Sequence, residues 1–497
     1  MTIRPRRVLI ATAAALTLAG CGEAGPRDIA AAVIDDGARG AARPRIEHLP
    51  LTTLDATGRA LVAQGLIAFD DDGRVRPALA RRWIVTDDGR SIIFRVEGAR
   101  WPDGRAVTAD EVRRLLAARI AELRRKGWAR DLDGLATIEA MTGQVVEIRL
   151  AAPRPHLLAL LAQPELGVLS SRGGTGPFLP SPRSPASGPA RYVPAAFLRP
   201  QEGSEPVADP PELPPAGRPA PTAIVDFREG RSDLLLGGRF QHLPMMAAAN
   251  LDGRAVRTDP VAGLFGLMVV SRTGPLAEAE LREALAMAID RPRLLASFNL
   301  NGWQEAVTIV PEALPEWRTG ARPGWTYADL PTRRITARAR LAEWRQANGP
   351  IPELRVALPP GPGSRILFAR LAADWRQIGV AARMVAPGSP ADMQLVDRVA
   401  DYDSPIWYLA RLACGSAALC SEDADQLIDS ALASPNPDEA RELLGEAELT
   451  LLRFQNFIPL ASPVRWWLLR PGLNGPAPNP RGVHDLSGLF DHTTSRR

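Results

Sequence analysis

Cysteine, lysine and histidine are all scarce in this chain of 497 residues. It contains three cysteines, five histidines and a single lysine, Lys126. It has no Gly-x-Ser-x-Gly, His-Glu-x-x-His or Cys-x-x-Cys motif, and no pair of histidines has the spacing of a metal site or a catalytic triad. We therefore expect no enzyme activity, no catalytic residue, no metal site and no cofactor, and an envelope hydrolase is the least favoured alternative.

The chain also lacks a large excess of positive or negative charge. Lys and Arg together number 60 and Asp and Glu 56, so the formal net charge is only +4. Arginines and acidic residues alternate along the chain, and no block of five or six like charges occurs. Because nucleic-acid binding needs clustered positive charge, this pattern argues against a nucleic-acid partner.

No hydrophobic run is long enough to span a bilayer, which needs roughly 20 residues. The predominantly apolar residues 8–19 follow Arg4, Arg6 and Arg7, which is typical of a secretory signal peptide. The run ends in Leu18-Ala19-Gly20-Cys21. This sequence resembles the lipobox of bacterial lipoproteins, in which the cysteine is acylated and the peptide is cut just before it. We predict a signal peptide over 1–20 and a lipid anchor on Cys21, in the periplasm or cell envelope. An ordinary signal peptide with an incidental cysteine is the alternative, and retention at the inner or outer membrane stays open.

The two remaining cysteines, Cys414 and Cys420, have five residues between them. In an exported protein an even pair favours a local disulfide. The alternative is two independent small residues.

Several segments have the periodicity of regular structure. Residues 83–85 and 91–96, joined by Thr-Asp-Asp-Gly, predict a β-hairpin. Thr108 and Glu111 form a capping box that opens a helix. Strand, helix and strand patterns over 354–358, 364–378 and 380–385 predict a βαβ unit with parallel strands. Further patterns predict a buried strand over 261–270, a helix ending near Arg291-Pro292, and a helix over 439–452.

Two segments lack periodicity. Residues 22–45 are small and polar and suit a tether. Residues 177–221 hold 14 prolines in 45 positions, which predicts a long irregular insertion without helix or central strand.

A family resemblance rests on motifs that occur in order along roughly 55–470. These are Leu79-Ala80-x-x-Trp83, Asp87-Asp88-Gly89, Phe94-Arg95-Val96, Trp101-Pro102-Asp103-Gly104, Thr108-Ala109-Asp110-Glu111-Val112, Gly174-Thr175-Gly176-Pro177-Phe178, residues 282–291, Ile378-Gly379-Val380 and Ala400-Asp401-Tyr402-x-x-Pro405. The series resembles the extracytoplasmic solute-binding proteins of the peptide/nickel-binding class (family 5), here in lipoprotein form, which serve ABC importers.

The resemblance implies an α/β, periplasmic-binding-protein-like fold, in which two α/β lobes with mixed sheets surround a ligand cleft. An extra domain is attached to lobe one. The expected segments are tether and start of lobe one over 21–60, extra domain over 61–150, lobe one over 150–268, lobe two over 269–459, and a return to lobe one over 460–497. The 177–221 segment replaces strands of lobe one that the family normally has.

The resemblance also places the ligand site. In peptide-binding members an aspartate at the position of Asp401 pairs with the ligand's α-ammonium, and a carboxylate is a suitable partner for a desolvated cation. Tyr402, Trp407 and Tyr408 are the remaining candidates for ligand contact. Solvated loop for Asp401 and core packing for Trp407 and Tyr408 are the alternatives.

We therefore expect a lipid-anchored, monomeric receptor that captures a small, peptide-like solute and delivers it to an ABC permease. Nickel chelates, opines and oligosaccharides are other ligand classes. A degenerate two-lobe lipoprotein acting in envelope interaction or assembly is the alternative function.

Overall fold

The computed structural model describes residues 27–490, apart from 38–41, 43, 48, 50, 87, 155, 199–206, 208, 316 and 318–320. In chain order the strands of the described residues are β1 (Ala31–Ile34), β2 (Ile67–Phe69), β3 (Val75–Pro77), β4 (Arg82–Val85), β5 (Ser91–Arg95), β6 (Leu135–Thr142), β7 (Val145–Leu150), β8 (Leu169–Ser170), β9 (Gly173–Gly174), β10 (Phe178–Pro180), β11 (Tyr192–Pro194), β12 (Pro215–Arg218), β13 (Leu234–Gly238), β14 (Val256–Asp259), β15 (Gly263–Val269), β16 (Leu354–Ala357), β17 (Ala382–Val385), β18 (Met393–Val399), β19 (Phe457–Ala461) and β20 (Arg465–Leu469). The α-helices are α1 (Thr53–Val62), α2 (Ala109–Leu123), α3 (Leu157–Leu161), α4 (Ala195–Leu198), α5 (Ala220–Arg228), α6 (Leu243–Ala248), α7 (Ala279–Ala288), α8 (Arg291–Ala296), α9 (Leu330–Asn348), α10 (Pro362–Arg376), α11 (Pro405–Ala410), α12 (Glu422–Ala433) and α13 (Pro437–Phe454).

Two five-stranded mixed sheets organise the described chain. The first has the order β12-β1-β13-β20-β14 and the second the order β17-β16-β18-β15-β19. In each sheet three neighbouring strands are parallel and the remaining pairs are antiparallel. The chain passes between the sheets over 260–262 and again over 462–464. We call the regions built on these sheets lobe one and lobe two.

A third, smaller region is built on the antiparallel sheet β4-β5-β7-β6 with α2 packed on it. The aromatic ring of Phe94 and the indole of Trp101 are fully buried in its core. The Trp101 indole N–H donates to Glu111, the N3 residue of the capping box that opens α2. The hydrophobic core of this region extends to Val168, so segment 157–168 packs with the small sheet. We call it the small domain.

Most locally predicted elements are confirmed. The β4–β5 hairpin, the Thr108 capping box, the buried strand β15 and the parallel β16–α10–β17 unit all lie where the sequence predicts them. The helix over 281–291 is α7, which ends earlier, at Ala288. Pro292 lies in the first turn of the next helix, α8, where a missing backbone N–H costs nothing.

Three expectations about individual segments of the chain are wrong. The tether interpretation of 22–45 fails from Ala31, because β1 is a fully buried strand next to the centre of the first sheet. The insertion 177–221 is not irregular throughout, since it contributes the β10–β11 ladder and β12. Proline is tolerated in β12 because this strand lies at the sheet edge and begins with Pro215. The predicted boundary at 268/269 is too late, since β15 already belongs to lobe two.

Candidate functional site

A cavity of about 220 Å³ lies between the two lobes. Lobe one lines it with one face of α1, with the end of β13 through Arg239, and with Asp259, Arg465 and Trp466. Lobe two contributes Val399 at the end of β18, and the small domain contributes Pro164. Because all three regions meet at its wall, its volume depends on how the lobes are arranged. We call it the cleft cavity.

A second cavity of about 210 Å³ adjoins the first on the side of the small domain. The residues that line both cavities are Thr57, Ala60, Pro164, Val483 and His484. A solute in the cleft cavity therefore has room to extend toward the small domain. The two volumes together suit a small solute better than a long peptide.

Ion pairs hold the lobes together around the cleft cavity. Arg465 of β20 donates to Asp397 of β18 at 2.8 Å. Arg481, in the segment that follows β20, donates to Asp403 of lobe two at 2.9 Å. These pairs join the lobes at the rim of the cavity, so the described arrangement is a closed one.

A buried charge network connects the small domain to lobe two. Arg411 donates to both carboxylate oxygens of Asp131, at 2.8 and 3.2 Å, and to Oδ2 of Asp401 at 3.3 Å. The Tyr402 hydroxyl donates to Asp131 at 3.1 Å. Burial alone would lower the pKa of Arg411, but the charges of Asp131 and Asp401 raise it. The ring of His156 stacks on Tyr402 at 4.4 Å. We call these five residues the interface network.

The network shows where the predicted ligand-binding residues lie. Asp401 is present at the expected position, but its Oδ2 already accepts from Arg411 and from the Trp407 indole at 2.7 Å. Tyr402, Trp407 and Tyr408 are each 1% exposed or less and belong to the core of lobe two. The structure favours the core alternative for Trp407 and Tyr408. None of the four lines the two cleft cavities, so a ligand role for them remains a prediction.

Glu165, beside the network, and His156, within it, have shifted pKa values. Burial, together with the Asp401 carboxylate, raises the pKa of Glu165 to about 7. Burial, together with the Arg154 guanidinium, lowers the pKa of His156 to about 4. At pH 7 His156 is therefore neutral, and Glu165 is protonated to a much larger extent than an exposed glutamate.

A cavity with a larger volume than either of the two cleft cavities lies elsewhere. It measures about 480 Å³ and is lined by β15, β19 and the loop 304–313, with Arg322 at its edge. Its walls belong to lobe two and to the two crossover segments, and most of them are apolar. Since lobe one does not close over it, we do not assign the solute to it.

The residue that sequence reasoning missed is Arg239. It lines the cleft cavity, but it is one arginine among many and belongs to no motif. The only local signal is the Gly237-Gly238 pair before it. Gly237 has a φ of +87°, and a Cβ on Gly238 would lie 2.2 Å from the Trp466 ring, so both positions need glycine.

Some of the other predicted features lie within the described residues and some lie outside them. Cys414 and Cys420 form a disulfide. Cys21 and the signal peptide lie outside the described residues. Among the described residues there is no cluster of three or more His, Cys, Asp or Glu side chains suited to a metal ion. No helix in that same part of the chain is both long enough and apolar enough to cross a membrane.

Comparison with known proteins relates the chain to a family. Residues 74–194 match the family described as "Bacterial extracellular solute-binding proteins, family 5 Middle". A curated relative from Pseudomonas aeruginosa, "Probable di/tripeptide-binding protein 5", is 24% identical over an alignment that covers 97% of this chain and 96% of the relative.

Solved structures share the fold. The murein tripeptide binding protein MppA of Escherichia coli superimposes with a TM-score of 0.77 and 17% identity, over 94% of this chain and 99% of MppA. OppA of Haemophilus influenzae, solved with the peptide RPPGFSPFR, gives 0.74 and 16%, over 93% of this chain and 99% of OppA. The expected periplasmic-binding-protein-like α/β fold is thereby confirmed. Residues 74–194 thus match the model of family 5 of the bacterial extracellular solute-binding proteins, and the chain as a whole has the fold that MppA and OppA share.

Proposed function

We propose that this protein is the solute-binding receptor of an ABC importer and that it captures a small, peptide-like solute between its two lobes. The observation that carries the proposal is the cleft cavity, whose wall combines residues of lobe one, lobe two and the small domain. A solute held there contacts both lobes at once and therefore stabilises their closed arrangement. The peptide-like class is supported by the murein tripeptide binding protein MppA, by OppA with its bound peptide, and by the Pseudomonas relative, which is described as a probable di/tripeptide-binding protein.

The histidine and the aspartate that line the cleft cavity have structural roles, which fits a protein that binds its solute without reacting with it. His484 pairs with the buried Asp259 at 3.0 Å, and Asp259 also accepts from the Trp467 indole and the Asn479 backbone N–H. This histidine and this carboxylate are engaged in holding the segment after β20 against lobe one. We therefore assign the protein a binding role and no catalytic residue.

We further propose that the protein is exported and held at a membrane surface through a lipid on Cys21. The support is the order of basic residues, apolar run, small residues and cysteine over residues 4–21. Several acyl chains on one residue make such anchoring stable. Labelled fatty acid supplied to expressing cells should enter the wild-type protein and not a Cys21→Ser variant. Equal labelling of the two proteins would contradict the anchor.

A degenerate lipoprotein of envelope assembly was the alternative suggested by segment 177–221. Part of that segment supplies the edge strand of lobe one, paired in register with β1. An intact first sheet is what a solute receptor requires, so the alternative loses much of its motivation. Co-purification of stable envelope partners with an empty cleft would restore it.

The receptor function is tested by filling the cavity. Ala60 of α1 lines both cleft cavities, so Ala60→Phe should exclude the solute. Native mass spectrometry of freshly purified wild type should find a retained small molecule, and a pool of di- and tripeptides should raise its melting temperature. Stabilisation grows as RT ln(1 + [L]/Kd), about 2.7 kcal/mol at a hundredfold excess over Kd.

The control is the same replacement of alanine by phenylalanine at a position outside the cleft. Ala296 is exposed at the end of α8, so Ala296→Phe should respond to the pool as the wild type does. An unchanged response of Ala60→Phe would move the solute away from this cavity. No retained molecule and no response of any variant to peptides, metal chelates or sugars would overturn the receptor function.

A further inference from the structure

Arg239 is fixed in place by contacts of its backbone. Its N–H donates to Nδ1 of His242 at 3.3 Å, and its carbonyl accepts from the Trp466 indole at 3.0 Å. Nε2 of His242 in turn lies 2.8 Å from Asp36. These contacts, together with the close packing of Gly238 on Trp466, hold the start of the Arg239 side chain at the wall of the cleft cavity.

The Arg239 guanidinium is unpaired within the described part of the chain. It forms no ion pair and no side-chain hydrogen bond with any residue that the structure describes, although it is half-buried. Burial and the neighbouring Arg465 guanidinium lower the pKa of Arg239, while Asp397 and Asp36 act in the opposite direction. Its immediate surroundings therefore disfavour the positive charge that it carries.

The other charged groups of the cleft cavity are compensated. Arg465 pairs with Asp397, Arg481 with Asp403, and the Asp259 carboxylate accepts three hydrogen bonds. A solute that enters this cavity therefore meets one uncompensated guanidinium.

An acidic counterpart is not offered at the same place. Asp401, which by resemblance would receive a peptide's ammonium group, is already paired with Arg411 and Trp407 and does not line the cleft cavities. Glu165, whose carboxyl group lies near Asp401, does not line them either. The charges that line the cleft cavity thus favour an anion over a cation as the recognised part of the solute.

We infer that the cleft cavity selects solutes by a carboxylate group, which Arg239 binds, and not by an ammonium group. The inference rests on the proposed receptor function and names the chemistry that this function recognises. Guanidinium and carboxylate match in planar, two-point geometry, and the charge-assisted pair replaces the partner that Arg239 lacks. With about 220 Å³ available, the solute is about the size of a dipeptide or smaller.

Three probe pools with matched side chains separate the two modes of recognition. We would titrate the full-length protein with an equimolar pool of free dipeptides, with the same pool acetylated at the amino end, and with the same pool amidated at the carboxyl end. The free and acetylated pools should raise the melting temperature equally. The amidated pool should bind at least tenfold more weakly, since a charge-assisted pair is lost.

Variants of Arg239 assign the effect to this side chain. Arg239→Gln should weaken the free and acetylated pools at least tenfold and make all three pools equal, and Arg239→Lys should restore part of the preference as a point charge. Arg257→Gln is the control, because Arg257 lies on β14 of the same sheet and does not line the cavity. Circular dichroism of each variant verifies folding.

The outcomes distinguish this inference from the receptor function. Tight binding of the amidated pool with loss of the acetylated pool would overturn carboxylate selection and leave a receptor that recognises ammonium. An Arg239→Gln variant that kept the wild-type preference would overturn the assignment of carboxylate binding to Arg239. Failure of all three pools to bind, with no retained molecule in native mass spectrometry, would overturn both proposals.

Discussion

Removing the Asp131 carboxylate should weaken the contact of the small domain with lobe two. Asp131→Ala deletes both hydrogen bonds from Arg411 and the one from Tyr402. Asp131 is 4% exposed and Arg411 7%, so the guanidinium that is left behind gains little water. Breaking a buried ion pair in this way costs about 3–5 kcal/mol. Because Asp401 still lies 3.3 Å from Arg411, we expect the lower end, about 3 kcal/mol.

Urea unfolding followed by circular dichroism measures this loss, and small-angle scattering measures the accompanying change in shape. For a chain of this length the melting entropy is about 1 kcal/mol per kelvin, so the melting temperature should fall by about 3 °C if the transition is cooperative. The radius of gyration without solute should rise, because the network joins two regions that separate on opening. Asp133→Ala, an exposed neighbour in the same loop, is the control. Equal stability and equal dimensions of the two variants would refute the reasoning.

The remaining predictions concern groups in and near the same interface. The folded-state pKa of Glu165, about 7, lies above its usual value of 4.5, so this group's contribution to stability is present at low pH and is lost as pH rises toward 7 and above. Glu165→Gln should therefore gain up to about 3 kcal/mol over wild type at pH 8 and nothing at pH 4.5, and equal urea midpoints at pH 8 would contradict this. The pKa of His156, about 4, lies below its usual value of 6.5, so the contribution of His156 to stability is lost as pH falls from about 6.5 to 4. His156→Phe keeps a ring against Tyr402 and should make the urea midpoint less sensitive to acid. A dependence of the midpoint on pH equal to that of the wild type would disprove this. Replacing Cys414 and Cys420 by serine should cost about 2 kcal/mol, as expected for a short closed loop. Urea unfolding of the double variant identical to that of the oxidised wild type would show that the disulfide does not contribute.

Local sequence patterns correctly predicted most of the elements whose boundary residues and periodicity lie within a short stretch of sequence. The Thr108 capping box, the β4–β5 hairpin and the β16–α10–β17 unit each combine a boundary residue with a clear period. Two of the strands that were not predicted, β1 and β12, lack such signals. β1 is buried on both faces and shows no alternation, and β12 begins with proline in a segment that reads as loop. Their placement depends on each other, since β12 pairs with β1 across more than 180 residues of sequence.

The candidate site was less accessible to sequence reasoning than the fold. The resemblance predicts Asp401 as a ligand contact, whereas in the structure its partner Arg411 is also bound to Asp131, which lies 280 residues away from Arg411. Nothing in the local pattern around Asp401 indicates that its charge is already compensated. Arg239 poses the reverse problem, because it differs from Arg465 and Arg481 of the same cavity in having no ion-pair partner among the described residues, which is visible only when the whole interface is known.

Compensation of charge also explains how a solute can close the lobes. The pairs Arg465–Asp397 and Arg481–Asp403 are formed within the protein and do not require a solute. Arg239 behaves differently, because in the closed arrangement it is half-buried without a counter-charge, whereas an open cleft leaves it to water. A solute shifts the equilibrium only through contacts that differ between the two arrangements. A carboxylate on Arg239 supplies such a contact, since it removes an electrostatic cost that only the closed form carries. A neutral solute of the same shape leaves that cost in place and should close the lobes less completely at saturation.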